Sequence, residues 1–154
     1  MRRPLYASIL LLALSSCSSD ERMAFSEFRD MGSQGWPRMA ALDFTLPPDS
    51  VNDGSPKALM LSIRHTEATD CDTLWVAVER SAAGSPLSVD TIPVALADHR
   101  GAWLGKGVRG LYELTCTIDT LTSYPEDYSV TLTHAMTGET IPGIINVGLI
   151  LSRQ

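Results

Sequence analysis

The sequence has no apolar run long enough to cross a membrane. A spanning helix needs about 20 apolar residues; residues 5–14 fall well short of that, and residues 141–151 are short and interrupted by Pro142, Gly143 and Gly148. Histidine and cysteine are scarce, with three of each. No pair of them has the H-E-x-x-H or short C-x-x-C spacing of a metal site, so His65, His99 and His134 read as structural and no metal is expected. The one alternative is a site assembled in space from His65, His134 and a carboxylate. No G-x-S-x-G elbow is present to present a nucleophile, and the adjacent acids Glu126 and Asp127 follow Tyr124-Pro125, where a turn explains them. Catalysis therefore has no support in the sequence, and the chain is not expected to be an enzyme. Positive charge is also in the minority, with 12 basic against 18 acidic side chains and a net charge of −6. Such a balance repels phosphate backbones and argues against a nucleic-acid partner.

What is present at the start is an address. Arg2 and Arg3 precede the apolar run, giving the charged and hydrophobic regions of an export signal. The run ends in Leu14-Ser15-Ser16-Cys17, an aliphatic residue, two small residues and a cysteine. This pattern resembles a bacterial lipobox, where the signal is cut and the cysteine acylated. The expected organisation is a signal peptide over residues 1–16, a lipidated N-terminus and tether over 17–24, and a folded domain over 25–154. Removing 16 of 154 residues leaves 138, enough for one domain with a real core. Without Arg2 and Arg3, ten basic side chains face 18 acidic ones, a formal balance of −8. Two or more acyl chains on Cys17 would hold that domain firmly to a membrane, the outer membrane being the expected one. The lipid on Cys17 is the only covalent group implied, and no cofactor is expected. Asp20 and Glu21 resemble the acidic signals by which some lipoproteins reach the cell surface, and equally suit a solvated linker. Whether the domain faces the periplasm or the outside stays open. Beyond Cys17, Cys71 and Cys116 would meet an oxidising compartment. They form a candidate disulfide, or remain two thiols, since spacing fixes neither distance nor direction.

Helical periodicity of any length is also missing. Its best candidate, "DERMAFSEFRDMG", spaces Phe25, Phe28 and Met31 as a helix would, and reads equally well as a first strand. Elsewhere the period is two. Leu42, Phe44 and Leu46 alternate with Ala41, Asp43 and Thr45; Leu59, Leu61 and Ile63 share one side of the next run, and Leu74, Val76 and Val78 lie opposite Trp75, Ala77 and Glu79. In "LSVDTIPV", Pro93 suggests an edge strand or a strand end. Tyr112, Leu114, Cys116 and Ile118 share one face, as do Tyr128, Val130, Leu132 and His134. The last strand carries Ile145, Val147, Leu149 and Leu151. These segments predict an all-β fold, an antiparallel, jelly-roll-like sandwich of about eight strands.

"GKGVRG", residues 105–110, matches the dinucleotide fingerprint G-x-G-x-x-G. That fingerprint works only where a helix follows it, and here "LYELTCTID" predicts a strand. "GAWLGKG" also lacks the spacing and the terminal hydroxyl of a phosphate loop. The glycines read as a tight loop between strands, with Trp103 tucked against the core. The other reading of Trp103 and Lys106 is an exposed contact, because an aromatic beside a cation on a loop suits recognition.

Several pieces taken together point to a family. The lipobox cysteine, Phe25-x-x-Phe28, "GWP" at 35–37, "GAWLGKG" at 101–107, "THAM" at 133–136 and "IPGIINVGLIL" at 141–151 resemble the gliding-motility lipoprotein family GldH over essentially the whole mature chain. The resemblance implies a non-catalytic β-sandwich lipoprotein of the cell envelope, with protein partners in a gliding-motility or associated secretion apparatus. It singles out Gly101, Trp103, Leu104, Gly105, Lys106, Gly107, His134, Ala135 and Met136 as motif residues, candidates for interaction. Thr137 and Asn146 depart from the family pattern of a basic residue and an aspartate. The alternative function is a carbohydrate- or peptide-binding lipoprotein. Exposure of Trp75 and Trp103 on one face would favour it, and burial of both would count against it.

Overall fold

The computed structural model describes residues 23–49 and 54–154. The signal segment, Cys17 and most of the tether lie outside the described residues. Eleven strands form: β1 (Met23–Asp30), β2 (Trp36–Pro37), β3 (Leu42–Thr45), β4 (Lys57–Thr66), β5 (Thr73–Ala82), β6 (Ser85–Ala95), β7 (Lys106–Val108), β8 (Leu111–Leu121), β9 (Tyr128–His134), β10 (Thr140–Ile141) and β11 (Ile144–Arg153). Eleven exceeds the expected eight because β2, β7 and β10 are only two or three residues long, too short to show an alternating pattern. The ambiguous first segment is strand β1, paired antiparallel with β11.

All pairings are antiparallel. One sheet has the order β1-β11-β4-β8-β7 and the other β3-β9-β5-β6, with β10-β2 as a separate ribbon. Setting the three short strands aside, the first sheet runs first-eighth-third-sixth and the second runs second-seventh-fourth-fifth. That is the jelly-roll arrangement. The two sheets bury their alternating apolar faces against each other. Phe44, Leu59, Leu61, Ile63, Leu74, Val76, Val78, Val130, Leu132, Val147, Leu149 and Leu151 are fully enclosed. Each contributes about 1.5–3 kcal/mol on burial.

The last strand departs from simple alternation. A register shift between Ile144 and Asn146 puts Ile144, not Ile145, in the core. A bulge inserts one residue and flips the faces beyond it.

The sandwich has two distinct ends. Met23, where the chain arrives from the tether, pairs with Ser152 beside the start of β4 and the end of β8. Seven residues later, at about 3.3 Å each, β1 delivers Asp30 to the far end, roughly 23 Å away. There Ile144 pairs with His65 and Thr66 with Leu111. The first is the tether end of the sandwich, the second its motif end.

The two flanks differ as well. At the β1–β3 flank, the Arg29 guanidinium donates to the Asp43 carbonyl and lies 4.6 Å from the centre of the Phe44 ring, fastening one sheet to the other. At the β6–β8 flank, the buried Arg80 bonds Asp90 on β6 and lies 3.1 Å from Asp119 on β8. This fastener occupies only the half of the flank nearest the tether end. Pro93 lies on β6, an edge strand, as the sequence suggests.

Candidate functional site

The motif end gathers segments far apart in sequence. β2 and β10 join there, pairing Trp36 with Ile141 and Pro37 with Thr140, so "GWP" and "IPG" meet. Trp36 is fully buried; its indole N–H donates to the Ala40 carbonyl at 3.1 Å, and its ring stands edge-on to His134, 5.7 Å between centres. His134 ends β9 on the core face, as the alternation predicts. Ala135 extends the ladder by donating its N–H to the Trp75 carbonyl at 2.8 Å. Met136 sulfur accepts from the Trp75 N–H at 3.3 Å, and the Met136 carbonyl accepts from Arg38 at 2.6 Å.

The loop from β6 into β8 is built around two glycines and an aromatic cluster. Leu104 donates its N–H to the Leu96 carbonyl at 2.7 Å, and Trp103 bridges to Ala97. This directs the partly buried Trp103 ring onto His65, 4.8 Å between centres, while Tyr112 stacks on His65 at 5.5 Å and lies 6.1 Å from Trp103, so the three rings form one cluster. Gly101 lies on the exposed turn before Trp103, where Asp98 accepts from the N–H groups of Arg100 and Ala102. Gly105 has a φ of +88° and lies where a side chain would strike the Glu113 carbonyl. At Gly107 a Cβ would fall 2.7 Å from the Tyr112 ring. Lys106 between them is exposed and pairs across the ladder with Glu113. Glu113 itself bonds Arg64 at 3.0 Å. A short strand, β7, is therefore part of what the sequence reads as a loop. The dinucleotide reading fails as expected, because β8 follows the glycines.

Both buried imidazoles are short of partners. His65 Nδ1 lies 3.2 Å from the Thr66 carbonyl, which can only accept; this puts the proton on Nδ1 and leaves Nε2 without a partner. His134 has none at either nitrogen among the described residues. Burial lowers the pKa of His65, opposed by its bond to Thr66. Burial lowers that of His134 too, reinforced by Arg38 and opposed by Glu139. Both rings are neutral at pH 7 and behave as apolar packing. Among the described residues, no three His, Cys, Asp or Glu side chains gather to hold a metal ion.

Cys71, in the β4–β5 turn, and Cys116, in mid-β8, are both free thiols and half-buried. Burial raises both pKa values, with Asp70 and Asp72 adding to the effect at Cys71. Neither thiol is activated as a nucleophile. Trp75 is 45% exposed on the outer face of its sheet, whereas Trp103 packs on His65 at the end of the sandwich. The two indoles do not form a common platform for a sugar.

These contacts join the separate sequence pieces that resemble one lipoprotein family, and comparison with family models finds the same family. The model described as GldH lipoprotein matches residues 23–151. The chain belongs to the GldH lipoprotein family. The match begins at the first residue of β1 and ends within two residues of the end of β11, so it covers the whole sandwich. As a GldH lipoprotein it is a membrane-anchored protein of the envelope. A comparison with curated proteins finds no match.

Sequence reasoning alone misses several members of this end of the GldH sandwich. His65 and Tyr112 have no linear link to Trp103, and only the β4–β8 register aligns them. Trp36 is recognisable as a motif residue, but its contact with His134 depends on the two-residue ribbon β2–β10.

Proposed function

We propose that this chain is a non-catalytic interaction module of a gliding-motility or associated secretion apparatus, held to the outer membrane by lipid on Cys17. The observation that carries this reading is the position of the motif pieces. "GWP", "WLGKG", "HAM" and "IPG" converge at the end of the sandwich opposite Met23, where the tether arrives. A domain hung from Met23 holds its tether end toward the lipid and offers the motif end, roughly 23 Å further out by strand rise, to other components. The acidic surface suits this orientation, because it keeps the domain off anionic headgroups.

Two treatments of cells test the reading. Cys17→Ala should release the protein from the membrane fraction and abolish its association with the apparatus. Protease added to intact cells, with a periplasmic protein as control, reports the leaflet. Digestion means a surface partner, and protection until lysis means a periplasmic one. A Cys17→Ala protein that still fractionates with membrane and still supports the apparatus would contradict the proposal.

A further inference from the structure

The β6–β8 flank is open where Arg80 does not reach. A cleft of about 610 Å³ lies there, lined by Ala95 at the end of β6, by Leu104 and Lys106 of the motif loop, and by Glu113, Leu114 and Thr115 of β8. Its floor is a strand edge. β7 covers β8 only from Leu111 to Glu113, and among the described residues no strand pairs with that side of β8 beyond it. The turn between β7 and β8 is Arg109-Gly110, with φ of +53° and +77°. Both signs fit a two-residue hairpin turn, in which the flanking Val108 and Leu111 face each other through their hydrogen-bonding groups. The period of two then turns the main chain of Glu113, Thr115 and Thr117 toward the same edge. The Glu113 carbonyl lying directly against Gly105 agrees with this. Thr115 and Thr117 thus aim an N–H and a C=O each into the open flank.

The side chains around this edge select further. Leu104 is 38% exposed, and Leu114 is partly buried beside it, leaving an apolar seat. Lys106 stands at the mouth. Glu113, the acid opposite it, is engaged by Arg64 at 3.0 Å, and Lys106 makes no ion pair among the described residues. An available cation in a protein of net charge −6 favours an acidic group in whatever enters.

The geometry points to strand addition: an extended segment of a partner protein continues the line of β7 along the free edge of β8, seating an apolar side chain at Leu104 and Leu114 and an acidic one at Lys106. This rests on the reading of the domain as an interaction module, and it names the mode of contact. Main-chain bonds supply affinity, and the alternating side chains supply choice. The motif residues Leu104 to Gly107 then have one shared purpose. Gly105 and Gly107 let β7 lie close on β8 and stop it after three residues, leaving the remaining edge for the partner.

The test uses the full-length lipidated protein in detergent micelles and an unbiased displayed library of linear peptides, with a panel of soluble glycans alongside. The expected peptides alternate apolar and polar residues and carry an aspartate or glutamate. Lys106→Glu should weaken them about tenfold, and replacing the peptide acid by lysine should restore binding to that variant. N-methylation of the peptide should abolish binding at every second residue and spare the residues between, the signature of a strand. Thr115→Pro should abolish binding too, and should leave the melting temperature near that of the parent. Where that variant does not fold, the N-methylation series on the parent protein decides. Absence of any selected peptide, binding indifferent to Lys106→Glu and to N-methylation, or a glycan competing for the cleft would each overturn the inference. These readouts use purified protein and so stand apart from the cellular test; a Cys17→Ala protein that still supports the apparatus would refute the motility or secretion reading without touching the cleft.

Discussion

Toward the tether end, the buried cations among the described residues face carboxylates, Arg80 lying against Asp90 and Asp119 although its Nε makes no hydrogen bond. Lys57 lies 3.2 Å from Asp49, both nearly enclosed, and the Tyr124 hydroxyl donates to the Pro47 carbonyl at 2.9 Å. At the motif end, the side chains of His65, Thr69 and His134 are buried with polar atoms left unpartnered. A buried group left without a partner costs about 1–3 kcal/mol, so the two ends do not contribute equally to stability. One end closes the fold near the membrane. The other spends stability on an aromatic and imidazole arrangement that closure alone does not require, which is where function is expected to reside.

Several substitutions and one titration test this contrast. The largest effect should come from Trp36→Ala, which empties the centre of the motif end and removes the edge contact with His134; about 4 kcal/mol should be lost in denaturant unfolding. Trp103→Ala should cost about 3 kcal/mol, less because part of the ring is already exposed. A smaller loss, about 1–3 kcal/mol, is expected of Gly107→Ala, whose methyl group displaces the Tyr112 ring. Its hydrogen-exchange signature should be faster exchange in β7 and the start of β8, with β3 and the β5–β6 hairpin unchanged.

Acid should act on the same end. Both folded histidines have pKa values below the ordinary 6.5, so the unfolded chain takes up more protons as the medium acidifies. Their contribution is complete above pH 6.5 and is lost as pH falls through that value toward the folded ones. Amides around His65 and His134 should lose protection there before amides near Lys57 do. A loss that begins at the tether end would break the comparison. The smallest effect belongs to Glu139→Gln at the exposed pair with Arg38, where less than about 0.5 kcal/mol is expected.

Much of the fold is legible in the sequence because a half-buried strand must alternate. The inward sets on β3, β4, β5, β8 and β9 read directly, and Pro93 marks β6 as an edge. What does not read is whatever depends on register or on strands too short to alternate. Ile144 takes the core place of Ile145 through a bulge. Lys57 and Ser62 are buried because β4 is flanked on both sides by β11 and β8. Arg80 occupies an inward position among valines and leucines, where its two acidic partners come from other strands. The site is half legible. Trp103, Lys106 and His134 stand out as motif residues, but their partners His65, Trp36 and the free edge of β8 exist only once the sheets are assembled.

On the proposed function, the motif end, and not the tether end, meets the partner. The most direct test is a photo-crosslinking residue placed in living cells at Arg100, on the exposed motif loop, and separately at Ser85, in the hairpin at the tether end. A discrete protein adduct is expected from position 100, lost with Lys106→Glu, and none from position 85. The same adduct from position 85 with none from position 100 would contradict it.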